Sequence, residues 1–153
     1  MTAEGHHVVS LTGGLEGTAR DSVIDSFRAG EAKVLITTNV LARGIDVQSV
    51  TMVINYDIPD KPDPSGGRVP LPDAETFLHR VGRTGRFGKV GVALTLVHDQ
   101  QSWAAFKAIC EELHINPTKL DTDDWDETEK VVKSIIKSSR NTKAPSNEVG
   151  MEG

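Results

Sequence analysis

The chain has 153 residues, 37% of them hydrophobic, and a formal net charge of −5, enough for one domain with an ordinary core. The acidic balance excludes a protein that holds nucleic acid through bulk positive charge, and no apolar run approaches the roughly 20 residues that cross a bilayer. Cys110 is the only cysteine, which excludes an intrachain disulfide and fits a reducing compartment; the opening Met1-Thr2-Ala3-Glu4-Gly5 has no apolar segment of the signal-peptide kind.

Taken in chain order, the pattern alternates strands and helices, which predicts a parallel sheet covered by helices. Residues 7–11 read as a strand and 16–27 as a helix whose apolar face is Ala19, Val23, Ile24 and Phe27, ended by Gly30. Strands are expected at 33–37, 52–56 and 92–97, and helices at 74–81 and 102–113, the latter burying Trp103, Phe106, Ile109 and Leu113. A short strand at 118–120 leads to a last helix over about 125–136, and the polar, aperiodic residues 138–153 are expected to be a disordered tail. Between them, residues 57–73 hold five prolines and two adjacent glycines and read as a long irregular loop, either functional or a tolerated insertion.

The densest chemistry is in His79-Arg80-Val81-Gly82-Arg83-Thr84-Gly85-Arg86, where three arginines and a histidine share eight residues. Arginine offers a planar fork of donors that suits phosphoryl oxygens, and Gly82 and Gly85 permit a bend that would aim Arg83 and Arg86 at one anion. A solvated basic loop is the plain alternative. Upstream, Thr37-Thr38-Asn39-Val40-Leu41-Ala42-Arg43-Gly44-Ile45-Asp46-Val47 follows a buried-strand pattern. Thr38 and Asn39 therefore stand just past a strand's carboxyl end, where open α/β sheets bind ligands. The five histidines have no metal-ligand spacing, and His6-His7 is most simply a strand-edge pair.

These two segments, in this order, resemble motifs V and VI of the DEAD-box RNA-dependent ATPases. The resemblance implies an α/β, RecA-like fold of the P-loop NTPase type, with helices on both faces of the sheet, here the helicase C-terminal domain without its first strand (residues 1–137). The family's second domain begins with a strand and a helix, and this chain opens at what looks like the end of that helix. The expectation is a piece of a longer protein, or a strand supplied by another chain. A phosphate-cradling GxxxxGK[ST] loop is missing, since Gly85-Arg86-Phe87-Gly88-Lys89-Val90 has neither the spacing nor the hydroxyl. There is also no Asp-Glu-Ala-Asp run. ATP with Mg2+ is therefore expected to be bound mainly by a first RecA-like domain, and this chain alone is expected to be inactive.

By the same resemblance Arg83 and Arg86 match arginine fingers that reach the γ-phosphate, and His79 and Arg80 match positions that contact the first domain. Asp46 matches an aspartate that accepts a hydrogen bond from the ATP ribose, or it caps a turn; Gly44, with Arg43, shapes that loop. Thr38 matches an RNA-phosphate contact, and Gly13 with Gly14 the place where a bare amide meets another phosphate. Arg20 matches the arginine of a QxxR motif whose glutamine is replaced by Gly17, so an RNA contact and a structural salt bridge both remain open. Contacts of this kind are to the RNA backbone, which predicts sequence-independent, salt-sensitive binding.

Leu11-Thr12-Gly13-Gly14-Leu15-Glu16-Gly17, the Pro-rich loop and Leu120-Asp121-Thr122-Asp123-Asp124-Trp125-Asp126 resemble the mRNA-export members of the family. The resemblance implies action on messenger RNPs at the cytoplasmic face of the nuclear pore, in cytoplasm and nucleus, with a pore-associated activator and inositol hexakisphosphate. Lys130, Lys133 and Lys137 share one face of the last helix, with Val131, Val132, Ile135 and Ile136 opposite. Lys133 and Lys137 then either attract that polyanion or form an ordinary wet face. The alternatives in function are a non-catalytic module that binds RNA or the activator, and a relative acting in another RNA process such as translation initiation.

Overall fold

Short apolar stretches rich in Val, Ile and Leu build two parallel strand pairs. Val8–Leu11 (β1) pairs with Val34–Thr37 (β2), Leu11 standing opposite Thr37. Met52–Asn55 (β3) pairs with a later strand, Val92–Thr95 (β6), Asn55 opposite Thr95. The computed structural model describes residues 1–15, 17–39, 50–85, 91–120 and 123–141, and among these no strand joins the two pairs. Ile36 on β2 and Ile54 on β3 are 54% and 56% exposed.

Gly17–Arg28 (α1) links β1 to β2 and lays Ile24 against Leu11, with Val23, Phe27 and Leu35 around them. Ala19, expected on that apolar face, is exposed. Gly30 closes the helix with a φ of 75°, a left-handed conformation that glycine adopts without a Cβ penalty.

The Pro-rich segment is not wholly irregular. Asp60–Lys61 (β4) and Leu71–Pro72 (β5) pair antiparallel, with Asp60 opposite Pro72. Prolines are tolerated there because a two-stranded ribbon has edges that need no N–H donor. The ribbon leads into Ala74–Val81 (α2), whose N-cap Asp73 accepts from the Thr76 amide at 3.1 Å and its hydroxyl at 2.6 Å.

Gln100–Leu113 (α3) begins on a capping box, Asp99 accepting from the Ser102 amide at 2.6 Å. The hydrogen bonds from Ser102, the backbone one foremost, hold the Asp99 carboxyl below its ordinary pKa. Helices α2 and α3 share a core of Ala74, Phe77, Phe106, Ile109 and Cys110. Burial pushes the Cys110 thiol up, as expected of an inert core cysteine. Trp103, predicted to be buried, is 52% exposed at the margin of this core. Residues 118–120 form no strand, and among the described residues nothing pairs with them.

Trp125–Asn141 (α4) packs beside β6. It runs beyond the expected end near Ile136 and into residues assigned to the tail; residues 142–153 lie outside the described part. Ile135, on the apolar face opposite the lysines, is 38% exposed. Among the described residues no helix is long and apolar enough to cross a membrane.

Candidate nucleotide and RNA interface

Parallel pairing decides where the candidate residues gather. Because Leu11 and Thr37 are register partners, the turn after β1 and the turn after β2 leave from the same end of the pair. Gly13 and Gly14 occupy the first turn, closed by the Leu15 amide on the Thr12 carbonyl at 3.2 Å. Gly14 has open space where a side chain would stand, so a ligand has a clear approach to this backbone. Thr38 and Asn39 occupy the second turn, both exposed. Arg20 sits in α1, half-buried.

Arg80, near the end of α2, ties that end of the fold together. Its Nε donates to Asn39 Oδ1 at 3.0 Å and its Nη2 to the same oxygen at 2.5 Å. Nη1 donates to the Asp57 carbonyl at 2.9 Å, and Nη2 meets the Asp57 carboxylate at 3.2 Å. Asp57 lies just past β3, so one guanidinium joins the carboxyl ends of two strands to the last turn of a helix. The Arg80 side chain is 15% exposed and Asp57 69%, so water screens the ion pair and its value lies in orientation more than in energy.

Past Arg80 the backbone stays tightly wound. Gly82 N–H donates to Leu78 O at 2.8 Å, Arg83 N–H to Arg80 O at 3.2 Å and Thr84 N–H to Val81 O at 3.1 Å. Arg83 is thereby fixed one turn beyond Arg80 and is half-buried. Of the two glycines expected to bend this segment, only Gly85 uses positive φ, at 74°. Gly82 has φ −65°, open to any residue; its lack of a side chain matters because a Cβ would come within 3.0 Å of the Leu78 carbonyl. His79 is half-buried in α2.

Asp46, Gly44 and Arg43 fall in residues 40–49, and Arg86 in residues 86–90, all outside the described residues. On α4, Lys133 Nζ pairs with Glu129 at 2.6 Å, a hydrogen bond that holds the Glu129 carboxyl below its ordinary pKa. Lys137 is exposed one turn further on. Among the described residues no group of three His, Cys, Asp or Glu side chains is placed to hold a metal ion.

Residues 1–88 match the helicase conserved C-terminal domain family. The solved C-terminal domain of the DEAD-box protein Dbp5 is 51% identical with a TM-score of 0.75, covering 87% of this chain and 71% of that one. The chain belongs to the DEAD-box helicase family, as a C-terminal RecA-like domain. An ATP-dependent RNA helicase dbp5 of Aspergillus niger is 59% identical over 140 residues, 92% of this chain but 29% of the relative. The chain thus spans less than a third of the length of the relatives it matches. Saccharomyces cerevisiae Dbp5 bound to RNA and ADP BeF3 is 50% identical with a TM-score of 0.78, covering 88% of this chain and 33% of that one. A variant of the yeast protein bound to a Gle1 variant and IP6 gives 50% and 0.78, with 89% and 34% covered.

Two residues of this DEAD-box domain escaped the reading of its sequence as an interface. Asn39 stood out as a possible ligand contact rather than as an acceptor for Arg80, and Asp57 was taken as the start of a loop. The available signal was a polar side chain two residues past the end of each of two strands, where short turns bring neighbours together.

Proposed function

We propose that this domain is the second half of an ATP-dependent RNA helicase that clamps RNA and remodels RNA or RNPs. The observation that carries the reading is the gathering, at one end of the parallel strands, of the Gly13–Gly14 and Thr38 turns with the Arg83 turn, held there by Arg80. Arg83 and Arg86 act on the γ-phosphate, and Gly44 and Asp46 hold the ribose side of the nucleotide. Thr38, Gly13, Gly14 and Arg20 meet RNA backbone phosphates. His79 and Arg80 face the first RecA-like domain; among the described residues the four bonds of Arg80 leave one of its N–H groups for that task.

The donor set fits a polyphosphate: always-charged guanidinium groups, that of Arg83 carried on a half-buried turn whose backbone is held by hydrogen bonds. ATP, arriving with Mg2+ mainly on the first domain, supplies the phosphoryl group that is transferred. The arginines neutralise charge that develops on that group, and the domain contributes by presenting Arg83 on a turn already wound by backbone hydrogen bonds.

Yeast Dbp5 is solved with RNA and ADP BeF3 and with a Gle1 variant and IP6, which supports the same ligands for this domain. The partners on this reading are single-stranded RNA or mRNP, the first RecA-like domain, and a pore-associated activator of the Gle1 kind. Lys133 and Lys137 meet inositol hexakisphosphate beside that activator, and the protein works in mRNA export at the cytoplasmic face of the nuclear pore, in cytoplasm and nucleus.

RNA-stimulated ATP hydrolysis by the two-domain protein tests this, wild type beside Arg86→Ala. The variant is expected to lose about two orders of magnitude or more in rate while still binding RNA. Near-normal turnover would instead favour a binding module for RNA or for the activator.

A further inference from the structure

The hydrogen bonds of Arg80 join two places to which different ligands have been assigned. Asn39 is the covalent neighbour of Thr38, the residue placed on RNA, and its side-chain oxygen accepts two of Arg80's donors at 3.0 and 2.5 Å. The carbonyl of the same Arg80 accepts the Arg83 N–H at 3.2 Å, and Arg83 is placed on the γ-phosphate. Thr38 itself is tethered to β2 through its carbonyl, which accepts the Thr37 hydroxyl at 3.0 Å. From RNA contact to arginine turn the path is one peptide bond, one side-chain clasp and one backbone hydrogen bond.

We infer that Asn39 is a positioning residue that couples RNA binding at Thr38 to the placement of Arg83 through Arg80. The inference rests on the functional reading above. A shift of the Thr38 turn moves Asn39 Oδ1, and the guanidinium follows because two of its N–H groups converge on that oxygen. The second anchor, Asp57 at 2.9 and 3.2 Å, stands at the end of β3 and gives the guanidinium a fixed point to pivot on. Asn39 supplies the acceptor without a second negative charge in the turn that meets phosphate, so the clasp does not repel the RNA it responds to. A contiguous chain of hydrogen bonds between the two sites is the physical carrier that such coupling requires.

The measurement is the RNA-stimulation ratio of the two-domain protein, the ATPase rate at saturating RNA divided by the rate without RNA. Asn39→Leu removes the acceptor at similar volume and is expected to lower that ratio at least about fivefold. Asn39→Asp keeps an acceptor for Arg80 and is expected to hold the ratio within about twofold of wild type at saturating RNA. A merely structural role would lower both rates together and leave the ratio alone. An unchanged ratio in Asn39→Leu, or an equal loss in Asn39→Asp, overturns the inference while the functional reading stands. A wild type that RNA does not stimulate overturns both. If Asn39→Leu shows no cooperative melting transition, Asn39→Ala, a pure truncation, is held to the same ratio.

Discussion

Gly91 and Thr84 approach so closely that no side chain fits between them. A Cβ built on Gly91 would overlap the Thr84 hydroxyl and come within 2.6 Å of the Gly85 backbone nitrogen. Thr84 Oγ1 is buried, and Gly85 is the residue that turns the basic segment with a φ of 74°. The residue that leads into β6 therefore braces the tip of the arginine turn. Gly91→Ala is expected to cost about 1–3 kcal/mol, the usual range for overpacking. Because Thr84 and Gly85 lie between Arg83 and Arg86, the displacement passes into the arginines. Thermal denaturation reads the first effect; ATPase at a temperature where both proteins are folded reads the second, which is expected to exceed any loss of RNA affinity.

Asp73 sets where α2 begins, and so where its far end delivers Arg80 and Arg83. Asp73→Ala removes the cap on Thr76 and is expected to cost about 0.5–2 kcal/mol. The Thr76 side-chain hydrogen bond leads in holding the Asp73 carboxyl below its ordinary pKa. A folded-state pKa below the unfolded one gives stability that is complete above about pH 4, the unfolded value. It is lost as pH falls through the lower folded value. Asp73→Asn keeps an acceptor but cannot titrate. The melting-temperature gap between wild type and Asp73→Asn is therefore expected to be constant above about pH 4 and to shift against wild type below it.

Where local chemistry alone decides a boundary, the sequence was sufficient. Helix α2 falls on residues 74–81 as expected, because an aspartate cap and a following glycine mark its ends. Where a partner decides, it was not. The strand expected to reach residue 97 stops at Thr95 because its partner β3 ends at Asn55, and residues 118–120 pair with nothing described. The β4–β5 ribbon hides among prolines because its pairing joins segments on either side of a turn. That Thr38 and Asn39 stand just past the end of β2 was legible from the apolar run before them. The Arg80 clasp was not, since it joins Asn39 and Asp57 from positions 41 and 23 residues away.

The two lysines assigned to a polyanion are not equivalent. Lys133 is already engaged by Glu129 at 2.6 Å, and a polyanion must compete with that carboxylate, whereas no such pairing restrains Lys137 among the described residues. Lys137→Ala is expected to weaken inositol hexakisphosphate binding, in the presence of the activator, more than Lys133→Ala does. Glu129→Gln is expected to strengthen it by up to about fivefold, the scale of a released exposed ion pair. Calorimetric titration at two salt concentrations checks the order, and all three differences are expected to shrink at the higher one.

Phe106 and Trp103 lie one turn apart on α3, yet the fold uses them differently. Phe106 is buried against Phe77 of α2, with ring centroids 5.8 Å apart and planes tilted by 55°. Trp103 also packs on Phe106, at 6.5 Å, but from outside the core. Phe106→Ala is expected to cost about 3–5 kcal/mol, the range for an emptied aromatic core site. It should also loosen α2, so that RNA-stimulated ATPase declines at temperatures below global unfolding. Trp103→Ala is expected to cost about 0.5–1.5 kcal/mol, the value of a partly exposed aromatic pair. Denaturant melts of the two variants separate these expectations. Equal losses would mean that Trp103 is covered in the working protein, and the margin of the α2–α3 core would then count as an interface rather than as solvent-facing surface.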